Sequence, residues 1–217
     1  MRYDMGMSNY RFIPKNPRQA EFLEVIKTHD LVFCNGPPGT GKTYAAAIEA
    51  ANALEAGEVS RIILARSATT TESIGFIPGS EQDKISPFMW PFYDAWADFW
   101  TPGKVDKLLE SGHIEPWSIS YMQGRTMRGA FVLVDEYQNL TLQNLMLVLT
   151  RLHYDSKMVC TGDWTQSLTK HNGLKLVDEL IYSEPRVGCV QYLPEDCTRH
   201  PLVANIYNAY KRIEDKL

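Results

Sequence analysis

Short apolar, β-rich runs recur along the chain at 31–34, 61–65, 117–120, 131–134, 158–161 and 189–193, with helix-like stretches between them. Strands alternating with helices in this way predict a parallel α/β sheet. The run Phe131-Val132-Leu133-Val134 has no polar alternation, as expected of a central strand covered by helices on both faces. Leu142, Leu145, Met146, Leu149 and Leu152 recur at helical spacing behind a capping Thr141 and read as a core stripe. Pro201 suits a first helical position, and Leu202, Ile206, Ala209 and Tyr210 continue one face of the helix it opens. Between 67 and 126, Pro, Gly and aromatic residues break the regular pattern, so this stretch is expected to be an irregular, aromatic-rich insertion in a single domain spanning 1–217.

Composition narrows the class. A chain of 217 residues is long enough to bury a core without staples, and 44% hydrophobic residues exclude disorder. No apolar run is long enough to cross a bilayer. Lys and Arg number 22 against 26 Asp and Glu, which argues against a generally basic nucleic-acid coat and leaves room only for a local basic patch. Cys34, Cys160, Cys189 and Cys197 lack the close spacing of zinc or redox motifs, and the first residues lack a signal-peptide pattern. Reduced thiols and a cytoplasmic location are expected.

The segment Gly36-Pro37-Pro38-Gly39-Thr40-Gly41-Lys42-Thr43 matches G-x-x-x-x-G-K-[ST] between an apolar strand and an Ala-rich helix at 44–54. Its glycines allow backbone N–H groups to close around phosphate oxygens, and the helix N-terminus adds positive potential there. Lys42 is expected at the β- and γ-phosphates, and Thr43 supplies a hydroxyl to Mg²⁺. The competing explanation is a chance Gly-rich turn.

Asp135-Glu136 ends the all-apolar strand and so projects at the carboxyl edge of the sheet, where open α/β folds bind ligands. Asp135 is placed to hold Mg²⁺ through water, and Glu136 to polarise an attacking water. Without a bound phosphate the pair is simply an acidic turn. Thr161-Gly162-Asp163-Trp164-Thr165-Gln166 leaves a further strand at the same edge, where the neutral amide of Gln166 can sense a γ-phosphate.

Taken in order, Gly36 to Thr43, Asp135-Glu136-Tyr137-Gln138-Asn139, Leu149-Thr150-Arg151-Leu152, Thr161-Gly162-Asp163 with Gln166, and Arg199-His200-Pro201-Leu202-Val203 resemble the PhoH family, with Gly75-Phe76-Ile77-Pro78-Gly79 and Gly124-Arg125-Thr126 adding to the match. The resemblance runs from about Asn16 to Tyr210. It implies a RecA-like P-loop NTPase fold similar to the first motor domain of superfamily 1 helicases. It also implies ATPase activity, a setting in RNA or DNA metabolism of bacteria and bacteriophages, and a homo-oligomer in the form of a hexameric ring. Asn16-Pro17-Arg18-Gln19 looks like the helicase element whose Gln reads adenine, making Gln19 a candidate for ATP selectivity. Gln123, where a basic residue is common, and Tyr137, where a small one is usual, depart from the pattern.

A two-domain helicase takes its transition-state arginine from its second fold, and 217 residues leave no room for another sheet. The arginine is then expected from Arg199, Arg151 or Arg66, in cis or from a neighbouring subunit. Phe88, Trp90, Phe92, Tyr93, Trp96, Phe99 and Trp100 in the insertion suit either base stacking or a packed helix face, with packing or assembly favoured because Asp94 and Asp98 lie among them. Lys84, Arg125 and Arg128 keep RNA or single-stranded nucleic acid in view as a partner. The chemistry therefore points to ATP hydrolysis with Mg²⁺. A P-loop kinase is disfavoured by Glu136 directly after Asp135, and a nucleotide-gated assembly protein with negligible turnover is the non-enzymatic alternative.

Overall fold

Side chains alternate across each strand and so feed two separate cores. On β4 (Ala130–Asp135), Phe131 and Leu133 enter one, and Val132 and Val134 the other. The computed structural model describes residues 12–66, 90–119, 122–168 and 172–214. Around β4 run β1 (Leu31–Asn35), β2 (Arg61–Arg66), β3 (Ile114–Ser118), β5 (Lys157–Gly162) and β6 (Val187–Gln191), all parallel, in the order β3-β2-β4-β5-β1-β6. Each of the six predicted runs overlaps a strand, though the run at 117–120 shares only Trp117 and Ser118 with β3 and the run at 189–193 reaches past the end of β6, and the most apolar of them is interior to the sheet.

The first core lies under α1 (Pro17–Thr28), α2 (Lys42–Glu55), α3 (described over 90–97) and α4 (Pro102–Glu110). The second lies under α5 (Leu142–Leu149) and α6 (Leu174–Ser183). Asn16 opens α1 by accepting a hydrogen bond from the Gln19 backbone N–H, with Pro17 in the first turn, and Gln19, Phe22 and Ile26 face inward. α2 is buried on most of its circumference, which its alanines at 45–47, 50, 51 and 53 permit by letting sheet and neighbouring helices approach closely.

The stretch read as an irregular insertion is regular over much of its described length. It forms α3, α4 and the edge strand β3. Its aromatics pack on the back of α2: Trp96 is fully buried, its indole N–H donates to the Ala47 carbonyl at 3.0 Å, and its ring lies between Phe92 and Trp100 at 5.9 and 5.7 Å. Trp100 donates to Glu55 at 2.6 Å. Phe88 lies outside the described residues.

The stripe expected on the helix after Thr141 is only half right. Thr141 caps α5 as predicted, and Leu145 is buried, but the second fully buried position is Val148. Leu142 and Met146 are 49% and 43% exposed, and Leu152 lies beyond the helix. An eight-residue helix turns only about twice, so the apolar band is wider than the strip that touches the sheet. At the end of the chain, α7 (Pro201–Glu214) carries Leu202, Ile206 and Tyr210 exposed.

Chain direction sets up the site. β1 sends its connection through α2 towards β2 on one side, while its neighbour β5 sends its own through α6 to β6 on the other. Diverging connections open a crevice at the carboxyl ends of the strands. We expect Trp96→Ala to lower stability by about 3–5 kcal/mol and the melting temperature by roughly 6–20 °C, whereas Trp90→Ala, at an exposed position, changes it by about 0.5 kcal/mol or less. Thermal unfolding followed by circular dichroism measures both, and an unchanged midpoint for Trp96→Ala would contradict the packing role.

Candidate nucleotide site

Within the loop from Gly36 to Lys42, Gly36, Gly39 and Gly41 all have positive φ. Gly39 has a second reason to lack a side chain: a Cβ there would stand 3.0 Å from Cys197 Sγ and 3.1 Å from Arg199 Cδ. Lys42 opens α2 and turns its ammonium into the loop, donating to the Gly36 and Pro37 carbonyls at 2.6 and 2.8 Å and to Thr40 Oγ1 at 3.3 Å. Burial holds its pKa below the usual lysine value, and Asp163, Glu136 and Asp135 pull the other way. Thr40, fully buried, closes the loop on itself by donating to the Pro37 carbonyl at 3.0 Å.

Next to this loop, the parallel register aligns Asp135 on β4 with Thr161 on β5, and Asn35 on β1 with Gly162. Asp135 Oδ1 accepts from the Thr161 hydroxyl at 2.8 Å and from the Thr43 hydroxyl at 3.1 Å, tying β4 to β5 and to the start of α2. Glu136 follows with φ 56°, the one non-Gly residue at positive φ among the described residues. This conformation costs roughly 1–3 kcal/mol and lets the chain turn sharply off the strand. Gln166 donates to Asp163 Oδ2 at 2.8 Å, and Asp163 also accepts from the Thr165 N–H and hydroxyl.

Gln19, Gly36, Pro38, Gly39, Gly41, Lys42, Thr43, Asp135, Glu136, Gln166 and Arg199 line one cavity of about 750 Å³. Pro37 and Thr40 lie in the loop itself. Residues from 12 to 199 thus meet around a single space. Arg199 reaches it because Thr198 donates from its backbone N–H to the Gly39 carbonyl at 2.9 Å and from its hydroxyl at 3.3 Å. It stands at the loop of its own chain. Arg151 does not line the cavity; it donates to Thr150 at the end of α5. Arg66 pairs through its backbone with Asp135, and its side chain lies outside the described residues, as do Gly75 to Gly79 and Lys84. Arg125 stacks over Trp117 at 3.4 Å and pairs with Glu115 at 3.3 Å on the edge of the sheet.

Gln19, expected to read adenine, lines the cavity beside the loop. It is 1% exposed, its amide Nε2 donates to the Thr40 carbonyl at 2.9 Å, and its Oε1 accepts from the Lys15 N–H at 2.7 Å. The amide is engaged with backbone on both sides, which makes it a brace for the phosphate loop. Asn16 extends the brace by donating to the Asp196 carbonyl at 3.0 Å, just before the Thr198 clamp. Sequence reasoning placed Thr161, Asp163 and Gln138 in motifs without giving them individual roles, and it did not single out Thr198.

A glycine-rich loop between β1 and α2, with a carboxylate at the end of β4 and β5 lying between these strands, defines a P-loop NTPase of RecA-like fold. Within that class the chain belongs to the PhoH family, whose profile, described as PhoH-like protein, matches residues 11–211. It is 43% identical over 205 residues to a PhoH-like protein of Synechocystis, covering 93% of this chain and 62% of that one. It is also 41% identical over 202 residues to a PhoH-like protein of Bacillus subtilis, covering 91% and 63%. The chain thus spans less than two thirds of the length of these relatives. Among solved structures, the large terminase from a thermophilic bacteriophage matches with a TM-score of 0.54 at 12% identity, over 90% of this chain and 50% of that one, a likeness of fold. No helix among the described residues is long and apolar enough to cross a membrane.

The brace can be tested through nucleotide affinity. Gln19→Ala leaves the buried Thr40 carbonyl without its donor, a loss of about 1–3 kcal/mol. We expect roughly five- to a hundredfold weaker binding, equal for ATP and GTP, by calorimetric titration. A loss confined to ATP would return Gln19 to base reading.

Proposed function

We propose that the protein binds ATP in this cavity and hydrolyses it with Mg²⁺. The observation that carries the reading is the convergence of Lys42, the Thr43–Asp135 pair and Glu136 on one space at the ends of β1 and β4. Loop N–H groups, the N-terminus of α2 and Lys42 bind the polyphosphate. A hydroxyl and a carboxylate 3.1 Å apart, both hard oxygen donors, fit a Mg²⁺ that takes its remaining ligands from phosphate and water. Thr43 and Asp135 would hold it, and its charge would offset that building on the transferred phosphoryl group.

Hydrolysis needs a water whose oxygen bonds to the γ-phosphorus as the bond to the β–γ bridging oxygen breaks, giving ADP and inorganic phosphate. Glu136 lines the cavity next to Asp135 and is suited to orient that water and accept its proton. Gln166 offers a neutral amide that touches phosphate without cancelling its charge. Arg199 lines the same cavity and supplies positive charge from the same chain. Coupling to RNA or single-stranded nucleic acid, and assembly of several copies, extend this reading through family likeness; phosphate release with and without RNA, and native mass with ATP present, test them.

Lys42→Ala should weaken nucleotide binding, because Lys42 meets charge already present in the ground state, whereas Glu136→Gln should keep binding and lose turnover about 100-fold or more. Equal loss of affinity in both variants would remove Glu136 from the chemistry. Binding without phosphate release in the unaltered protein would favour the nucleotide-gated assembly reading.

Arg199→Ala should cut turnover by about 10³-fold while changing affinity far less. Mixed with Lys42→Ala subunits, it should recover nothing, since each chain would supply its own arginine. Recovery in the mixture would show that the arginine acts across an interface.

A further inference from the structure

The turns that leave β4 and β5 are joined along their length. Gln138 Oε1 accepts from the Asp163 N–H at 3.1 Å, the Tyr137 hydroxyl accepts from the Trp164 indole N–H, and the Gln138 carbonyl accepts from the Ser167 hydroxyl at 2.8 Å. Asn139 Oδ1 accepts from the Leu168 N–H at 3.0 Å. At the head of this seam, Gln138 faces both ways. Its Nε2 donates to Glu136 Oε2 at 2.6 Å while its Oε1 holds Asp163, whose own carboxylate holds Gln166 at 2.8 Å. One primary amide therefore connects the carboxylate on one turn to the amide on the next.

Two features show how tightly the amide is held. Gln138 is 1% exposed, and among the described residues Gln19 is the other glutamine that is buried. Gly162, the last residue of β5, leaves the space it fills, since a Cβ there would collide with Gln138 Oε1 and stand 2.9 Å from the Tyr137 ring. Glu136, meanwhile, sits at φ 56°, a conformation that side chains disfavour, and its carboxylate accepts the 2.6 Å bond from Gln138. The donor and acceptor ends of Gln138 are not interchangeable, because the carboxylate can only accept and the Asp163 N–H can only donate.

We propose that Gln138 is a positioning residue that sets the Glu136 carboxylate and the Gln166-bearing turn in one mutual arrangement, so that water activation and γ-phosphate contact are aligned together. This rests on the reading of the cavity as an ATP hydrolysis site. Gln138 touches neither nucleotide nor water in this scheme. It acts through the two groups it holds.

Two variants separate positioning from folding. Gln138→Met keeps the volume and removes both hydrogen bonds; Gln138→Glu keeps an acceptor for the Asp163 N–H and replaces the donor facing Glu136 with a second carboxylate. Steady-state phosphate release and MgATP titration should show kcat reduced roughly tenfold to a hundredfold in both, with Kd within about threefold of the unaltered protein. Added to Glu136→Gln, Gln138→Met should cost clearly less turnover than it does alone, because one of the two groups it positions is already gone. Should the Met variant fail to fold, the Glu variant decides alone. Full turnover in a folded variant, loss of affinity as large as the loss of kcat, or an additive effect in the double variant would each overturn the proposal. An unaltered protein that releases no phosphate would instead sink the hydrolysis reading itself. Normal turnover that is lost on Glu136→Gln and kept on Gln138→Met would sink this inference alone.

Discussion

A parallel sheet delivers the carboxyl end of every strand to one edge, and the candidate chemistry of this protein depends on three adjacent strands using that edge together. β1 ends in the phosphate loop, β4 in Asp135-Glu136 and β5 in the turn that bears Gln166. Their register brings Asp135 beside Thr161, so a carboxylate that would otherwise be an isolated buried charge finds two hydroxyl donors. Slipping any of the three strands by one residue would move both the apolar side chains and the site out of place. Core packing and site geometry are therefore set by the same constraint.

The elements that hold the edge in place come from remote parts of the sequence. Gln19 at the head of α1 grips the phosphate loop from one side, Thr198 grips it from the other, and the Asn16 bond to the Asp196 carbonyl joins the two elements that carry them. The aromatic segment backs α2 through Trp96 and Trp100, so the helix that opens at Lys42 is clamped along its length. Thr165 also meets the Tyr207 hydroxyl on α7 at 2.8 Å, which connects the turn bearing Gln166 to a helix with an exposed apolar face.

What could be read in the sequence was what contiguous residues determine. Unbroken apolar runs mark strands that are buried on both faces, and the loop from Gly36 to Thr43 declares itself because its glycines, lysine and hydroxyl must be neighbours to surround one phosphate. Asp135-Glu136 was legible for the same reason. Roles that depend on tertiary proximity were not: Gln19 could be placed near the nucleotide, yet nothing local shows that its amide is spent on the Thr40 carbonyl. The exposure of Leu142 and Met146 was hidden too, since an apolar position shows its periodicity but not how wide a strip of its helix the sheet covers. The insertion looked irregular because its Pro and Gly lie close together, while the partners that order its tryptophans, on α2, are 45 and 49 residues away in sequence.

The charges around the cavity give a physical reason for the proposed cation. Asp94, Asp98, Asp135, Glu136 and Asp163 line it against Lys15, Lys42 and Arg199, so the walls carry more negative than positive charge before a polyphosphate enters. Lys42 is deep in the loop and Arg199 lies against Gly39, and two cations at one end leave the carboxylates of β4 and β5 facing the same phosphates. Like charges brought close in a partly buried space repel, and the repulsion grows as water is excluded. A divalent cation between Asp135 and the phosphates converts that repulsion into attraction. Among the described residues no group of three or more His, Cys, Asp or Glu is placed to hold a metal ion. The ion and the nucleotide would complete each other's binding, and Thr43 with Asp135 would sense only the pair.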